Sequence, residues 1–216
     1  MRQSKQGNVV LRVGPLVIKR FGGDNSKRKY FSECLTRLIL QRQGISFVPI
    51  LVRLAHFQII IMPRFQVPTV YSSLTNDRLA SFVDHVQILA SIELPLGEPP
   101  GFYWVDHPGA RQSMPTFHDF LLAEFENYLN EDVSGLAASV RDVLLPVFYA
   151  VGSSEKRVLV LTDIAPKNVF IHQERYFHYD FEASVIGPPE FLLAKAAIGL
   201  VRDLGRKYDA MAFAEE

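Results

Sequence analysis

Three side chains in the last third of the chain could support metal and phosphate chemistry. Asp163 and Asn168 lie in the segment Leu161–Ile171, and Asp180 follows after further apolar and aromatic residues. Carboxylate and amide oxygens are ligands of Mg²⁺, and a carboxylate can also orient a hydroxyl nucleophile. These residue types in this order indicate a site that could hold Mg²⁺ against the phosphates of a nucleotide.

Short apolar runs flank these polar residues and predict strands. Val158–Leu161 and Val169–Ile171 enclose the loop that contains Asp163, and Arg175–Asp180 returns as a third strand. Pro166 lies inside the loop, where its fixed φ favours a tight turn. The sequence therefore predicts a short loop followed by a hairpin, with the polar residues at its ends.

The N-terminal part of the chain has the pattern of a small sheet with one helix. Val9–Val13 and Leu16–Phe21 are rich in β-branched residues and meet at Gly14-Pro15, which is typical of a hairpin. Apolar residues then recur at helical spacing, at Phe31, Cys34, Leu35, Leu38 and Ile39. Two further strands are predicted at Val48–Leu54 and Gln58–Met62, and Pro63 ends the second.

The remainder of the chain is predicted to be mainly helical outside the loop region. Three stripes of apolar residues predict helices that begin near Leu79, Phe117 and Val133. A last helix is predicted at Pro189–Arg206. The connection Leu94–Pro115 contains the only tryptophan, Trp104, and connections of this length are typically lids, binding loops or disordered segments. Periodicity alone predicts an α+β protein without specifying its fold.

The motifs around the polar loop resemble those of a known superfamily. The pattern D-x-x-P-x-N at residues 163–168, followed by D-F-E at residues 180–182, is similar to the catalytic and metal-binding loops of the protein-kinase-like superfamily. The D-F-E variant is closest to its aminoglycoside- and choline-kinase branch. This resemblance implies a two-lobed α+β fold, with a reduced N-terminal β lobe at residues 1–65 and a mainly helical C-terminal lobe at residues 66–216.

The resemblance implies a role for each polar residue of the loop region. Asp163 would be the catalytic base or would orient the acceptor hydroxyl. Asn168 would bind Mg²⁺ through its amide oxygen, and Asp180 would bridge the metal to the nucleotide phosphates. Taken singly, Asp163 and Asn168 could be turn formers and Asp180 a cap. The interpretation rests on the order in which these residues and their motifs occur together.

The resemblance also implies a nucleotide site in the N-terminal lobe. Lys19, on a predicted strand after Val17-Ile18, would contact the α- and β-phosphates, and Glu33 on the next helix would pair with it. Met62 and Arg64 lie where the hinge would contact adenine, and Met62 would line the pocket. Taken singly, Lys19 could end a strand at the surface and Glu33 could be a solvated helix residue.

The implied function is that of a kinase, which uses MgATP to phosphorylate a hydroxyl acceptor, with a small molecule as the leading class. Acidic residues in and after the second predicted helix could receive a cationic acceptor; they are Asp119, Glu124, Glu126, Glu131 and Asp132. An atypical protein kinase acting on Ser, Thr or Tyr is the first alternative. Transfer of another part of ATP, such as the nucleotidyl group, stays open.

Departures from the superfamily pattern keep a non-catalytic, pseudokinase-like module open as a further alternative. The chain has no G-x-G-x-x-G phosphate loop, so the first strand of the small lobe is expected to be missing or abbreviated. A histidine two residues before Asp163 is replaced by Leu161. The segment after D-F-E has the family's spacing, but its two acidic positions are occupied by Pro188 and Leu192.

Composition excludes several other classes of function. Lys and Arg total 23 and Asp and Glu total 23, so no overall field would attract nucleic acid or an anionic membrane. Cys34 is the only cysteine, which excludes an intramolecular disulfide and favours a reducing compartment. The N-terminus lacks the apolar core of a secretory signal, and no apolar run is long enough to span a bilayer. A cytoplasmic location is expected.

Overall fold

The computed structural model describes residues 2–3, 7–23, 25–73, 75–94, 101–105, 114–123 and 156–212. Its first layer is an antiparallel sheet of five strands in the order β1-β2-β3-β5-β4. The strands are β1 (Arg2–Gln3), β2 (Val9–Val13), β3 (Leu16–Arg20), β4 (Val52–Leu54) and β5 (Ile59–Pro63). The first strand is present but only two residues long, as the sequence predicted for an abbreviated strand.

The predicted hairpin at the start of the chain is confirmed. β2 and β3 pair through a tight turn in which Gly14 has a φ of +55°, a conformation that glycine adopts without steric cost. β3 then pairs with β5, with Lys19 opposite Ile60. This register places Lys19 in the middle of the sheet, on the strand that faces the single helix of the lobe.

Helix α1 (Ser26–Arg42) covers one face of this sheet. Its side chains pack with residues of the strands into a small core that comprises Phe21, Tyr30, Cys34, Val48, Ile60 and Met62. The predicted strand over Val48–Leu54 is shorter than expected, because only Val52–Leu54 joins the ladder. The Val48 amide instead donates to the carbonyl of His178, which ties this segment to the other part of the molecule.

The second part combines helices with two small sheets. The described helices are α2 (Asn76–Ser91), a segment at residues 117–123, and α3 (Pro189–Ala212). One sheet is formed by β6 (Tyr103–Trp104), β7 (Val158–Leu161) and β10 (Ser184–Gly187), in the order β6-β10-β7. The other is the hairpin of β8 (Val169–His172) and β9 (Arg175–His178). The predicted α+β class is confirmed.

Several elements differ from the sequence predictions. β6 lies inside the predicted long connection, and it pairs with β10, which was also not predicted. α3 extends to Ala212 instead of ending near Arg206. The helix expected from Val133 lies outside the described residues. The division at residue 65 stays a prediction.

Within the part of the chain that the structure describes, no helix is both long and apolar enough to cross a membrane.

The larger core lies where α2 and α3 pack against β7 and β10. All four residues of β7 are buried, and Val160, Val185 and Ile186 have no exposed surface. The Asp163 loop leaves this core directly, since it follows β7 and is buried at Ile164 and Ala165. α3 covers the loop at Gly199, where an added Cβ would lie 2.8 Å from the carbonyl oxygen of Ile164.

We expect Gly199→Ala to destabilise the protein by about 1–3 kcal/mol, because the new methyl group would push α3 away from the loop backbone. Gly205, on the same helix, is the matched control, since a Cβ there would meet nothing within 4 Å. Gly205→Ala should stabilise by about 0.5–1 kcal/mol through helix propensity. Urea denaturation measures both, and equal stability of the two variants would contradict close packing at Gly199.

Two histidines, the half-buried His85 and the buried His178, join α2 to β9. The Nε2 atoms of His85 and His178 lie 2.8 Å apart, so one nitrogen donates and the other accepts. Burial lowers the pKa of His85 to about 4. Burial, together with the proximity of His85, lowers the pKa of His178 to about 3. Both rings are therefore neutral in the folded protein at pH 5 to 6, where histidines of an unfolded chain become protonated.

This pair should make the folded state sensitive to acid. Below pH 6.5 the unfolded chain binds protons that the folded chain does not, so the free energy of unfolding falls as the pH falls toward 4. Each histidine contributes up to about 1.4 kcal/mol per pH unit. His85→Phe, which can keep the stacking on Tyr176, should remove roughly half of the pair's contribution. Denaturation at pH 5, 6 and 7 measures the slope, with His56→Phe as the exposed control; an unchanged slope in His85→Phe would contradict this account.

Candidate active site

A cavity of about 1470 Å³ lies between the five-stranded sheet and the second part of the molecule. Its upper side is formed by β2, β3 and the end of β5. Its lower side is formed by the Asp163 loop, by the residues that follow β9 and by α3. The lining includes six of the seven predicted site residues: Lys19, Glu33, Met62, Arg64, Asp163 and Asp180. Asn168 lies below the surface, 6% exposed, against Asp163.

The predicted pairing of Lys19 with Glu33 is present in the structure. Lys19 Nζ lies 3.3 Å from Glu33 Oε2, 2.6 Å from Asp180 Oδ1 and 3.4 Å from Glu182 Oε2. Three carboxylates, one from α1 and two from the D-F-E segment, therefore surround one ammonium group. Because Lys19 is held by β3 and Glu33 by α1, the pair fixes the position of the helix relative to the sheet.

Arg37 is a second cation on Glu33, and the sequence analysis did not identify it. Its Nη1 lies 2.5 Å from Glu33 Oε1, and its guanidinium also donates to the carbonyl of Val48 and contacts the sulfur of Met62. The guanidinium lies 4.7 Å from the centre of the Phe181 ring. Only 1% of Arg37 is exposed. The available signal was its position four residues after Glu33, which places both on one helix face.

The charges of this cluster support one another. Burial alone raises the pKa of the Glu33 carboxyl, but Lys19 and Arg37 outweigh burial and the pKa is lowered. Burial alone lowers the pKa of the Lys19 ammonium, but the carboxylates of Glu33, Asp180 and Glu182 outweigh burial and the pKa is raised. Burial raises the pKa of Glu182, and the proximity of Lys19 and the hydrogen bond from Asn8 offset this effect only in part. The Lys19 and Glu33 side chains are thus both charged.

Asp180 reaches the cluster through an unusual backbone conformation. Its φ is +69°, in the left-handed region that residues other than glycine rarely adopt. The next residue is fixed on both sides by α1: the Phe181 amide donates to Glu33 Oε2 at 2.9 Å, and its carbonyl accepts from Ser32 Oγ at 2.8 Å. These contacts hold the strained backbone and direct the Asp180 carboxylate into the cavity.

Glu182 connects the same segment to the start of β2. Its Oε2 accepts from the side-chain amide of Asn8 at 2.5 Å, and the Asn8 oxygen accepts from the Gly22 amide at 3.2 Å. The backbone of Gly7 crosses that of Gly22 so closely that a Cβ on Gly22 would collide with the Gly7 carbonyl oxygen. Gly7 and Asn8, just before β2, are thereby attached to the segment that follows β3 and to the D-F-E segment.

Asp163 is held at the floor of the cavity by three neighbours. Asn168 Nδ2 donates to Asp163 Oδ2 at 2.7 Å and to the Asp163 carbonyl at 3.0 Å. Arg202 Nη2 lies 3.0 Å from Asp163 Oδ1, and Lys167 Nζ lies 3.8 Å from Oδ2. Arg202 was not predicted from sequence. The Thr162 hydroxyl donates to the Ala183 carbonyl, which joins this loop to the D-F-E segment.

Asn168 and Asp180 offer oxygen atoms that fit Mg²⁺. The Asn168 amide nitrogen points at Asp163, so its amide oxygen points away from that carboxylate. Asp180 gives one carboxylate oxygen to Lys19 and retains the other. No group of three His, Cys, Asp or Glu in the described segments could enclose a metal. Two oxygen ligands are typical of Mg²⁺ that is completed by phosphate and water.

Another part of the cavity is lined by apolar and aromatic side chains. Val10 and Val17 line it from the sheet, and Phe170 and Tyr179 line it from below. Phe170 stacks on Tyr179 at 4.7 Å and on Phe65 at 5.6 Å. Met62, Pro63 and Arg64 form the connecting edge; the Arg64 amide donates to the Pro15 carbonyl at 2.7 Å.

The sequence also suggested roles for the connection that contains Trp104 and for a group of acidic residues that begins at Asp119. In that connection, Phe102 and Tyr103 are buried in the core, but Trp104 lines the cavity. Thr116 caps the helical segment 117–123, since its hydroxyl oxygen accepts from the Asp119 amide at 3.0 Å and its hydroxyl donates to the Asp119 carboxylate at 2.6 Å. Asp119 is not among the residues that line the cavity. Glu124, Glu126, Glu131 and Asp132 lie outside the described residues.

The structure is similar to solved structures of small-molecule kinases. Aminoglycoside phosphotransferase APH(4)-Ia matches with a TM-score of 0.61 and 17% identity, over 89% of this chain and 68% of that one. Choline kinase LicA from Streptococcus pneumoniae matches with a TM-score of 0.55 and 17% identity, over 90% of this chain and 67% of that one. A choline/ethanolamine kinase family protein from Mesorhizobium loti matches with a TM-score of 0.56 and 13% identity, over 92% and 63%.

These matches are structural only. No protein-family profile and no curated protein sequence matches the chain. The agreement covers most of the chain, and it includes both lobes that enclose the cavity. The chain therefore has the protein-kinase-like fold that aminoglycoside phosphotransferases and choline kinases share.

Proposed function

We propose that this protein is a phosphotransferase that moves the γ-phosphoryl group of MgATP to a hydroxyl group of a small molecule. The observation that carries the proposal is the meeting of Lys19, Asp163 and Asp180 around one cavity, with Lys19 paired to Glu33 and Asn168 buried against Asp163. Nucleotide binding is further supported by structures of APH(4)-Ia mutants, which are ternary complexes of ADP or AMP-PNP with hygromycin B.

Each residue has a definite task in this proposal. Lys19 contacts the α- and β-phosphates, and Asn168 and Asp180 hold Mg²⁺, which supplies neutralisation of the phosphate charge. Met62 and the backbone around Arg64 border the adenine. Asp163 orients the acceptor hydroxyl and takes its proton. The acceptor oxygen forms a bond to the γ-phosphorus, the bond from that phosphorus to the bridging oxygen breaks, and ADP leaves with the electron pair.

The arrangement favours catalysis over simple nucleotide binding. Asp163 contributes nothing to the Lys19 cluster, yet three neighbours position its carboxylate toward the cavity. A module that only binds nucleotide has no need of this residue. The chain lacks a glycine-rich phosphate loop. The Asn8–Glu182 contact compensates for this loss in part, because it holds the start of β2 against the D-F-E segment.

We expect Asp180→Asn to abolish the Mg²⁺-dependent part of nucleotide binding, because an amide is a far weaker ligand for Mg²⁺ than a carboxylate. Asparagine tolerates the left-handed backbone at this position, so the fold should persist. Thermal unfolding with ATP, with and without Mg²⁺, measures the effect. Ligand at about a hundred times its dissociation constant should stabilise the wild type by roughly 2.7 kcal/mol.

Asp84→Asn is the matched control, since Asp84 is an exposed carboxylate on α2. It should keep the full shift. A wild type that shows no shift with any nucleotide would refute the proposed function. A shift with ATP that Asp180→Asn leaves unchanged would remove Asp180 from the metal site. Release of ADP with a candidate acceptor, lost in Asp163→Asn, then separates a kinase from a binding module.

We expect Arg37→Met to destabilise the protein by about 3–5 kcal/mol, because it leaves the Glu33 carboxylate buried with one cation fewer. Arg37→Lys keeps the charge but loses donors to Val48 and Glu33, so it should recover only part of the loss. Arg42→Met, at the exposed end of the same helix, should cost less than about 1 kcal/mol. Denaturation measures all three; a small effect at Arg37 would contradict the buried cluster.

A further inference from the structure

One side of the cavity beside Asp163 is lined by cations. Lys167 follows the Asp163 loop, and Lys195 and Arg202 project from α3; we call these three residues the basic wall. Lys195 and Arg202 are seven residues apart, which places them on one face of the helix. Phe191, four residues before Lys195, lies on the same face and also lines the cavity.

The charge of the basic wall exceeds that of its acidic partners. Arg202 contacts Asp163 through Nη2, and its Nε lies 3.5 Å from Asp203 Oδ1. Asp203 is 2% exposed, and its other oxygen accepts from the Lys167 amide. Among the residues that the structure describes, two carboxylates thus face three cations. The Arg202 side chain is 36% exposed and lines the cavity, although its Nε atom is buried.

The acceptor must approach Asp163 past these groups. Nucleotide phosphates would occupy the region of Lys19 and Asp180, so the acceptor hydroxyl reaches Asp163 from the side of α3. A guanidinium and two ammonium groups at that side attract a carboxylate or a phosphate, and each can donate charge-assisted hydrogen bonds to it. A cationic acceptor would instead meet like charges in a partly dehydrated cavity.

Aromatic side chains complete this end of the cavity. Trp104, Phe120 and Phe191 line it, and the rings of Trp104 and Phe120 lie 5.9 Å apart. Lys195 Nζ lies 5.1 Å from the centre of the Phe191 ring. An apolar body placed against these rings would carry its charged group to the basic wall.

On the basis of the proposed function, we infer that the acceptor is a hydroxyl compound with an anionic group, a carboxylate or a phosphate ester, which binds to Arg202, Lys195 and Lys167. This class differs from the amine-bearing acceptor that the acidic residues of the sequence suggested. The relatives in structure include choline kinases, and choline is a cation. The fold is therefore shared while the charge selected at the acceptor end is reversed.

The test uses ligands of one shape and different charge. With saturating MgADP, and at constant ionic strength, calorimetry measures binding of benzoate, phenyl phosphate and benzylamine to the full chain. We expect one or both anions to bind at least about tenfold more tightly than benzylamine, as charge-assisted hydrogen bonds imply. Comparison of benzoate with phenyl phosphate identifies which anion the site prefers.

Variants locate the binding. Lys195→Gln and Arg202→Gln should each weaken anion binding about tenfold. Lys195→Gln is the more specific of the two variants, since it leaves the contacts of Asp163 with Arg202 and Lys167 intact. Arg175→Gln, an exposed charge on β9, is the control and should leave anion binding unchanged.

Three results would overturn the inference: benzylamine binds as tightly as the anions, neither anion binds, or anion binding is unchanged in both Lys195→Gln and Arg202→Gln. The last result would indicate that the anion binds in the region proposed for the nucleotide phosphates and not at the basic wall. The stabilisation by MgADP is measured first and reports on the nucleotide site alone. If MgADP fails to bind, the proposed function fails, while the anion titrations without nucleotide still decide whether the basic wall selects anions.

Discussion

The carboxylate of Glu33 is the group on which the arrangement of the site depends. It has no exposed surface, and a carboxylate in such a place is tolerated only when cations and hydrogen-bond donors surround it. Lys19 comes from the sheet, Arg37 from the same helix, and the Phe181 amide from the D-F-E segment. The Glu33 carboxylate therefore joins three parts of the chain. Each part is held in place because its departure would leave the buried carboxylate without a partner.

The rest of the cavity follows from this junction. Once the backbone of Phe181 is fixed by α1, the neighbouring Asp180 can remain in a left-handed conformation that it would not adopt alone. The Asp163 loop is positioned separately, by burial under α3 and by the hydrogen bond from Thr162 to the D-F-E segment. The Lys19 side and the Asp163 side of the cavity are thus held mainly by different contacts. Under the proposed function, the charge at the acceptor end can therefore change without disturbing the nucleotide end.

Local patterns predicted the parts of this structure that depend on neighbouring residues. The β2–β3 hairpin, α1 and the order from Lys19 to Asp180 all follow from short segments. The strands β6 and β10 did not, because each pairs with a partner remote in sequence and is only two to four residues long. Arg37 and Arg202 were missed for a related reason. A helical arginine usually faces solvent, and only the tertiary structure shows that these two contact Glu33 and Asp163.

The crossing of Gly7 and Gly22 has a consequence for how related sequences are recognised. Motif searches for nucleotide-binding proteins look for glycines clustered in one loop. Here the two glycines that permit close approach of the backbones belong to different connections, on either side of the β2–β3 hairpin. Each accommodates the other, so a side chain gained at one position removes the space at the other. A sequence signature for such chains would pair these distant glycines with the lysine of the intervening hairpin.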